Sequence, residues 1–283
     1  MGIESITKRI HANVEWDGSN VACIDTAEGV VLVDTPMLPK DIAQCKQFVL
    51  DLNPKGVRYI VVTHSHFDHI IGCSQLGGTV IMHEKGRASL FEEDATLRES
   101  MAGLSPDRTE EEVQFILSEP LIPSEITMGE ALTLNLGDTT LALHHVGGHS
   151  PDSIVVHAVE DRVLLTGDNI TSSMHPYKGH GCFGDWIEAL EFMDTLEVDT
   201  IIPGHGVICG RDEIPRFIDY MRALHSLTSE SIERGMSCDA VVESVHDRMF
   251  GHFEVEPARL EAARMMFDLG TRRLYEEIER ERG

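Results

Sequence analysis

The segment Thr63-His64-Ser65-His66-Phe67-Asp68-His69 puts three imidazoles and a carboxylate within six consecutive positions, His64 to His69. Each is a good ligand for a borderline divalent metal such as zinc, and one such ion takes about four ligands. The chain carries more histidines and acids downstream than one closed structural site needs. That surplus points to two metals sharing a water, a hydrolytic arrangement. What precedes the segment sets the fold it demands. Gly56 to Val62 ends in an apolar, β-branched run and reads as a buried strand, and α/β folds build their sites where strands end. If the chain stays extended, residues two apart share a face. His64, His66 and Asp68 then point one way, with His69 offset towards a second metal. Ile70-Ile71-Gly72 starts a helix on this reading.

Three later elements repeat the pattern of ligand after strand. Val163-Leu164-Leu165-Thr166-Gly167 runs into Asp168, Ile201-Ile202-Pro203-Gly204 runs into His205-Gly206, and Gly147-Gly148-His149-Ser150-Pro151 is a turn centred on a histidine. Upstream, Val30-Val31-Leu32-Val33 ends in Asp34-Thr35. Taken together and in this order, the residues resemble the metallo-β-lactamase superfamily, whose signature is H-x-H-x-D-H followed by a distant His, a distant Asp and a final His. The resemblance covers roughly residues 10 to 210. It implies an α/β (α+β) chain folded as a four-layer αββα sandwich.

The resemblance also implies roles. His64, His66 and His149 would hold a first metal, and Asp68, His69 and His205 a second. Asp168 and a hydroxide would bridge the two. Asp34 would orient the metal-binding loop without ligating, and Asp68 would also accept or shuttle a proton as the catalytic acid–base group. Cys-containing secreted metallo-β-lactamases place a cysteine where Asp168 stands, so Asp168 aligns the chain with the glyoxalase II and lactonase-type branch. The implied reaction is attack of a metal-bridging hydroxide on an ester, thioester or lactone carbonyl. The cofactors are two divalent ions, zinc first, with iron or manganese as alternatives. One departure is Ile71-Gly72, where the family has Gly-Gly. Two rival readings share the ligand set: a mononuclear non-haem iron persulfide dioxygenase using His64, His149 and Asp168, and a β-lactam hydrolase.

Charge narrows the partners. The 283 residues carry a formal charge of −25, and phosphate backbones need a basic surface. Nucleic acid is therefore not an expected partner, and a small-molecule substrate is. No run of 18 apolar residues suggests a membrane span, and the first ten residues lack the apolar core of a signal peptide. Cys23, Cys45, Cys73, Cys182, Cys209 and Cys238 form no C-x-x-C pair and read as reduced thiols of a cytoplasmic protein.

The pattern along the chain predicts a core over 1–210 and C-terminal helices over 211–283 that pack on it or form a homodimer surface. A helix is expected near Lys40–Leu52, and strands at Gly77–His83, Ala131–Leu136, Thr140–His145, Ser153–Ala158, Arg162–Thr166 and Thr200–Ile202. Another helix is expected at Asp185–Leu196. An insertion over about 84–122 reads as two helices, Glu84–Met101 and Thr109–Leu117, the second opened by a Thr109/Glu112 capping box. This insertion and the loop Thr171–Gly184 are expected to wall the pocket, with His175, Tyr177 and His180 as substrate contacts, because specificity sits on loops over a rigid scaffold. His83 is read as structural, neither His144 nor His145 as a ligand, and Cys182 as a small apolar residue.

Overall fold

Strands buried on both faces decide the architecture. Val30, Val31, Leu32 and Val33 are all buried, so their alternating side chains need an apolar layer on each side of the sheet. The computed structural model describes residues 2–282 apart from 91–97, 100–101, 103–104, 106, 179, 256 and 258–259. Seven strands form the first sheet in chain order: β1 (Ile3–Ser5), β2 (Ile10–Asn13), β3 (Val21–Thr26), β4 (Gly29–Val33), β5 (Val57–Val61), β6 (Thr79–His83) and β7 (Ile126–Met128). β1 to β4 run antiparallel and β4 to β7 parallel. The second sheet also follows chain order, with β8 (Ala131–Asn135), β9 (Thr140–His145), β10 (Ile154–Ala158), β11 (Val163–Leu165), β12 (Thr200–Ile202) and β13 (Cys209–Gly210). Only β11 and β12 pair in parallel there.

Alternation along these strands sorts the core into layers. Val31, Val33, Val61 and Ile81 meet Leu143, Ile154, Val156 and Leu165 between the sheets. Their neighbours Leu32, Ile60 and Val62 face outward onto Ile42, Cys45 and Val49 of the helix Pro39–Leu52. From the second sheet, Val155, Leu164 and Ile201 face outward onto Trp186, Leu190 and Met193 of the helix Phe183–Asp194. Phe217, Met221 and Leu224 of the helix Glu213–Glu233 belong to the same cluster. The layers therefore run helix, sheet, sheet, helix, as expected for the αββα sandwich. Each close-packed interior here removes apolar surface from water on both sides of a sheet, the dominant favourable term in folding.

Element ends differ from the sequence expectation by one or two residues. Thr166 leaves its strand, and the helix packed on the second sheet begins at Phe183 and ends at Asp194. Glu84–Ser89 is helical, while most of the remainder of the expected Glu84–Met101 helix lies outside the described residues. The second insertion helix is Glu110–Ser118, and its Thr109/Glu112 capping box is formed. Ala102 and Ile116 of the insertion pack with Phe67 and Ile71 beside the histidine-rich segment. The helices Glu213–Glu233, Cys238–Met249 and Leu260–Arg282 contribute Phe217, Val241, Val245, Phe267 and Leu274 to the outer cluster. No helix among the described residues is long and apolar enough to cross a membrane.

Lys178 is a buried charge in this packing, only 6% exposed. Its ammonium lies 5.1 Å from the centre of the Phe267 ring and makes no ion pair among the described residues. Burial alone lowers its pKa from 10.5 to about 8. The unfolded chain keeps that proton up to 10.5, so the folded state binds fewer protons between the two values. The penalty is therefore full below pH 8 and fades as pH rises towards 10.5. Lys178→Met, which keeps the apolar stem, is expected to raise the melting temperature at pH 7, with the gain shrinking by pH 10. Thermal melts across that range check it, and a lower melting temperature at pH 7 would contradict it.

Candidate metal centre

The chain leaves β5 at Val61 and Val62, and Thr63 opens the loop that carries the histidines. His66 ends the extended stretch, at φ −64° and ψ 139°, and Phe67–Ile70 is a short helix. This corrects the period-two reading. Asp68 does not share a face with His64 and His66, because the chain has already turned helical at Phe67. Asp68 instead joins His69. Two ligand groups result: His64, His66, His149 and Asp168 in one, and Asp68, His69 and His205 in the other, with the ligating atoms of each within 4.8 Å of one another. Residues from the ends of β5, β10's preceding turn, β11 and β12 thus meet at one edge of the sandwich.

Asp168 stands between the groups. Its Oδ2 lies 3.6 Å from His149 Nε2, while its Oδ1 lies 3.3 Å from His69 Nε2 and 3.5 Å from His205 Nε2. Asp68 Oδ2 is 3.3 Å from His205 Nε2. His66 Nδ1 lies 2.9 Å from His64 Nε2 and 3.0 Å from His149 Nε2.

These inner atoms fit a cation better than they fit one another. His69 Nε2 and Asp168 Oδ1 are buried with no hydrogen-bond partner, since their approach is too poorly aligned to count as one. The outer ring nitrogens, by contrast, are engaged. His69 Nδ1 donates to Asp34 Oδ2 at 2.8 Å. His149 Nδ1 donates to the Tyr177 carbonyl at 3.1 Å. His66 Nε2 lies 2.7 Å from His180 Nδ1. His64 Nδ1 donates to Thr63 Oγ1 at 3.1 Å, and that hydroxyl donates to Asp34 Oδ2 at 2.8 Å. Outer nitrogens held by acceptors while inner ones converge is the arrangement that orients imidazoles towards a metal.

Electrostatics divides the cluster in the same way. Burial, and then the neighbouring rings, hold His64 well below 6.5. Burial also lowers His66 to about 4 and His149 to about 3, so these three rings are neutral and their lone pairs available. Burial opposes charge on His205 as well, but Asp168 and Asp68 outweigh it and raise its pKa to about 10. His69 is lifted well above 6.5 against burial by Asp34, Asp168 and Asp68. Both carboxylates stay ionised against burial, chiefly through His69 and His205. Two imidazolium ions thus face the carboxylates of Asp34, Asp68 and Asp168, where divalent cations would otherwise stand.

Several side chains that the sequence reading passed over hold the loops. Asp152 accepts from the Ser65 amide and from the Ser150 hydroxyl, each at 2.7 Å, and so ties the loop of His64 and His66 to the turn of His149. Asn169 accepts from the His149 amide at 3.0 Å. Asn20 donates to the carbonyls of Pro203 and Gly206 at 2.8 and 3.0 Å, pinning the turn of His205. Their signal in the sequence is modest: polar residues beside each ligand, where turns leave backbone groups unpaired. Gly204 has a stricter reason. A methyl there would strike Asp168 Oδ1 and lie 2.6 Å from the Gly167 carbonyl carbon.

The remaining candidates are dispersed, and only two of them reach the cluster. Tyr177 and His180 stand at the cluster, with the Tyr177 ring centre 6.1 Å from that of His66 and 6.3 Å from that of His149. His175 turns into the C-terminal helices, with its Nδ1 2.8 Å from the Tyr220 hydroxyl and its Nε2 donating to the Phe250 carbonyl at 2.9 Å. His83 accepts from the Lys85 amide and stacks on His145, their ring centres 3.8 Å apart. His144 packs edge-on against Phe192. Cys182 Sγ donates to Glu277.

The family model of the metallo-beta-lactamase superfamily matches residues 14–205. The chain belongs to the metallo-beta-lactamase superfamily. Within it, the chain is 23% identical over 269 residues to a linear primary-alkylsulfatase of a Pseudomonas species, covering 78% of this chain and 49% of that protein. It is 29% identical over 167 residues to the acyl-coenzyme A thioesterase MBLAC2 of Gallus gallus, covering 55% of this chain and 59% of that one. The chain thus spans about half to three fifths of the length of these relatives. In fold it is similar to the inverting sec-alkylsulfatase Pisa1 from Pseudomonas sp., with a TM-score of 0.70 at 15% identity over 97% of this chain and 50% of that one. It is also similar to a metallo-beta-lactamase family protein of Thermus thermophilus, with a TM-score of 0.69 at 18% identity over 99% and 95% of the two chains.

Two substitutions test how the superfamily site is held. Asp34→Ala removes the acceptor of His69 and of the Thr63 hydroxyl, and is expected to weaken metal binding by about 10–100-fold. Gly204→Ala is expected to displace Asp168 and weaken binding further. Competition with a chromogenic chelator reads both, and wild-type affinity in either variant would contradict the account.

Proposed function

We propose that the chain is a binuclear metal-dependent hydrolase acting on an ester, thioester or lactone carbonyl. The observation that carries this reading is Asp168, which turns one carboxylate oxygen towards each ligand group. His64, His66 and His149 would hold one divalent ion and Asp68, His69 and His205 the other, with Asp168 common to both. The donor set of imidazole and carboxylate suits zinc first, then manganese or iron. When bound, such ions lower the pKa of water and polarise the electrophile.

The chain's own residues supply the remainder. Asp68, an ionised carboxylate at the edge of the cluster, would accept or shuttle the proton. Tyr177 and His180, whose ring centres are 5.7 Å apart, offer an aromatic face and a ring nitrogen to the acyl group. The thioesterase relative supports a thioester as the first substrate to test, and the alkylsulfatase relative, which aligns with more of this chain, makes an alkyl sulfate the second. The formal charge of −25 favours small substrates over polyanionic ones. The six cysteines are unpaired, which suits the cytoplasm.

Metal analysis of freshly purified protein, followed by a panel of thioesters, esters, lactones, alkyl sulfates and β-lactams, tests the reading. Two zinc or manganese ions per chain with turnover of a carbonyl ester or thioester are expected. One iron per chain with oxygen uptake on a persulfide would overturn it in favour of an iron dioxygenase. Asp68→Asn is expected to lower kcat/KM by about 10²–10⁴-fold, measured on the best substrate of the panel. Near wild-type kinetics would remove Asp68 from the chemistry.

A further inference from the structure

The segment between Asp168 and the helix Phe183–Asp194 has two faces. Tyr177 and His180 turn to the metal ligands, the first through its carbonyl to His149 and the second through Nδ1 to His66. His175 and Lys178 turn the other way, into the C-terminal helices. His175 is held by Tyr220 and by the Phe250 carbonyl, and its ring stacks on Phe250 at 5.2 Å. The stem of Lys178 crosses the helix Leu260–Arg282 at Gly270, where a methyl would lie 2.9 Å from its Cε.

The end of the segment is fixed by Glu277. The helix Phe183–Asp194 starts at Cys182, which gives it no side-chain cap, so its first amides need an acceptor from elsewhere. Glu277 supplies one from 94 residues away, its Oε1 accepting from the Phe183 amide at 2.8 Å and from the Cys182 thiol at 3.3 Å. The carboxylate is 7% exposed and sits where a helix N-terminus favours negative charge. Cys182 in turn donates its amide to the Gly148 carbonyl at 3.2 Å, next to the ligand His149. A continuous set of contacts therefore runs from the last helix of the chain to the turn of His149.

We propose that Glu277 is a positioning residue of the site. By capping the helix Phe183–Asp194 from the helix Leu260–Arg282, it fixes the segment 175–183 as a strap that holds Tyr177 and His180 against His149 and His66. The C-terminal helices thereby set how the strap meets a substrate. The part of this that concerns substrate rests on the hydrolase reading above. The part that concerns the strap does not.

The test compares Glu277→Ala, Glu277→Gln and Gly270→Ala in the full metal-loaded chain. Amide hydrogen exchange is read over 175–184, with the visible spectrum of the cobalt(II)-substituted protein and the split between KM and kcat. Glu277→Ala is expected to speed exchange of the Phe183 amide about tenfold or more, to change the cobalt spectrum at unchanged metal stoichiometry, and to raise KM severalfold with a smaller change in kcat. Glu277→Gln keeps an oxygen that accepts from the Phe183 amide and is expected to restore most of the protection. Gly270→Ala presses on Lys178 while improving the helix that carries it, so it is expected to loosen 176–180 without loss of protection in 260–282. Wild-type exchange at Phe183 in Glu277→Ala would overturn the proposal. So would equal losses in the Ala and Gln variants spread through the whole outer cluster, which a merely structural role gives. If no panel substrate is turned over, the hydrolase reading fails while exchange and the cobalt spectrum still decide the strap.

Discussion

Five imidazoles and two carboxylates share one buried pit at the edge of the sandwich, and the rest of the structure is arranged around keeping them there. Groups of this kind cannot be left bare in a low-dielectric interior. Either they neutralise, or they are paired, or a cation sits among them. The first group takes the neutral course, with burial holding His64, His66 and His149 unprotonated. The second takes the paired course, with His69 and His205 raised by Asp68 and Asp168. Divalent ions would satisfy both halves at once, since they would accept the lone pairs of the first and replace the protons of the second.

Holding the ligands inward takes a supporting set of acceptors and close approaches. Asp34 serves two histidines through one oxygen, directly to His69 and by way of Thr63 to His64. It does so from a left-handed backbone conformation, φ 58°, that side chains other than glycine rarely adopt. Asp152 joins two ligand turns, and Asn20 pins a third. These contacts lie where strands give way to turns, so the rigid sheets set the positions and the polar side chains set the ring orientations. Tyr177 and His180 add a further layer, meeting His149 and His66, while His175 nearby is held among the C-terminal helices.

Much of this was legible in the residues because the chemistry is local to strand ends. The apolar runs before Asp34, Thr63, Asp168 and His205 announced strands, and the ligand types after them announced a metal site. What misled was periodicity within the ligand loop. Extended geometry pairs Asp68 with His64 and His66, but the helix that begins at Phe67 moves it to His69, and six residues are too few for the pattern to show the change. Contacts across long sequence separations were not legible at all. Nothing near Glu277 or Asp152 marks their partners, because an acid in a helix or a turn reads as solvated until the fold brings an amide to it. His175 belongs to the same class, being one loop residue among several until its ring is seen among Tyr220, Phe250 and Phe267.

The account stands or falls on whether the two ligand groups hold two ions. Anomalous scattering from crystals of the metal-loaded protein, collected on both sides of the zinc edge, is the most direct measurement. Two peaks are predicted about 3.5–4 Å apart, one among His64, His66 and His149 and one among Asp68, His69 and His205, with Asp168 between them. A single peak, or ions bound away from Asp168, would contradict it.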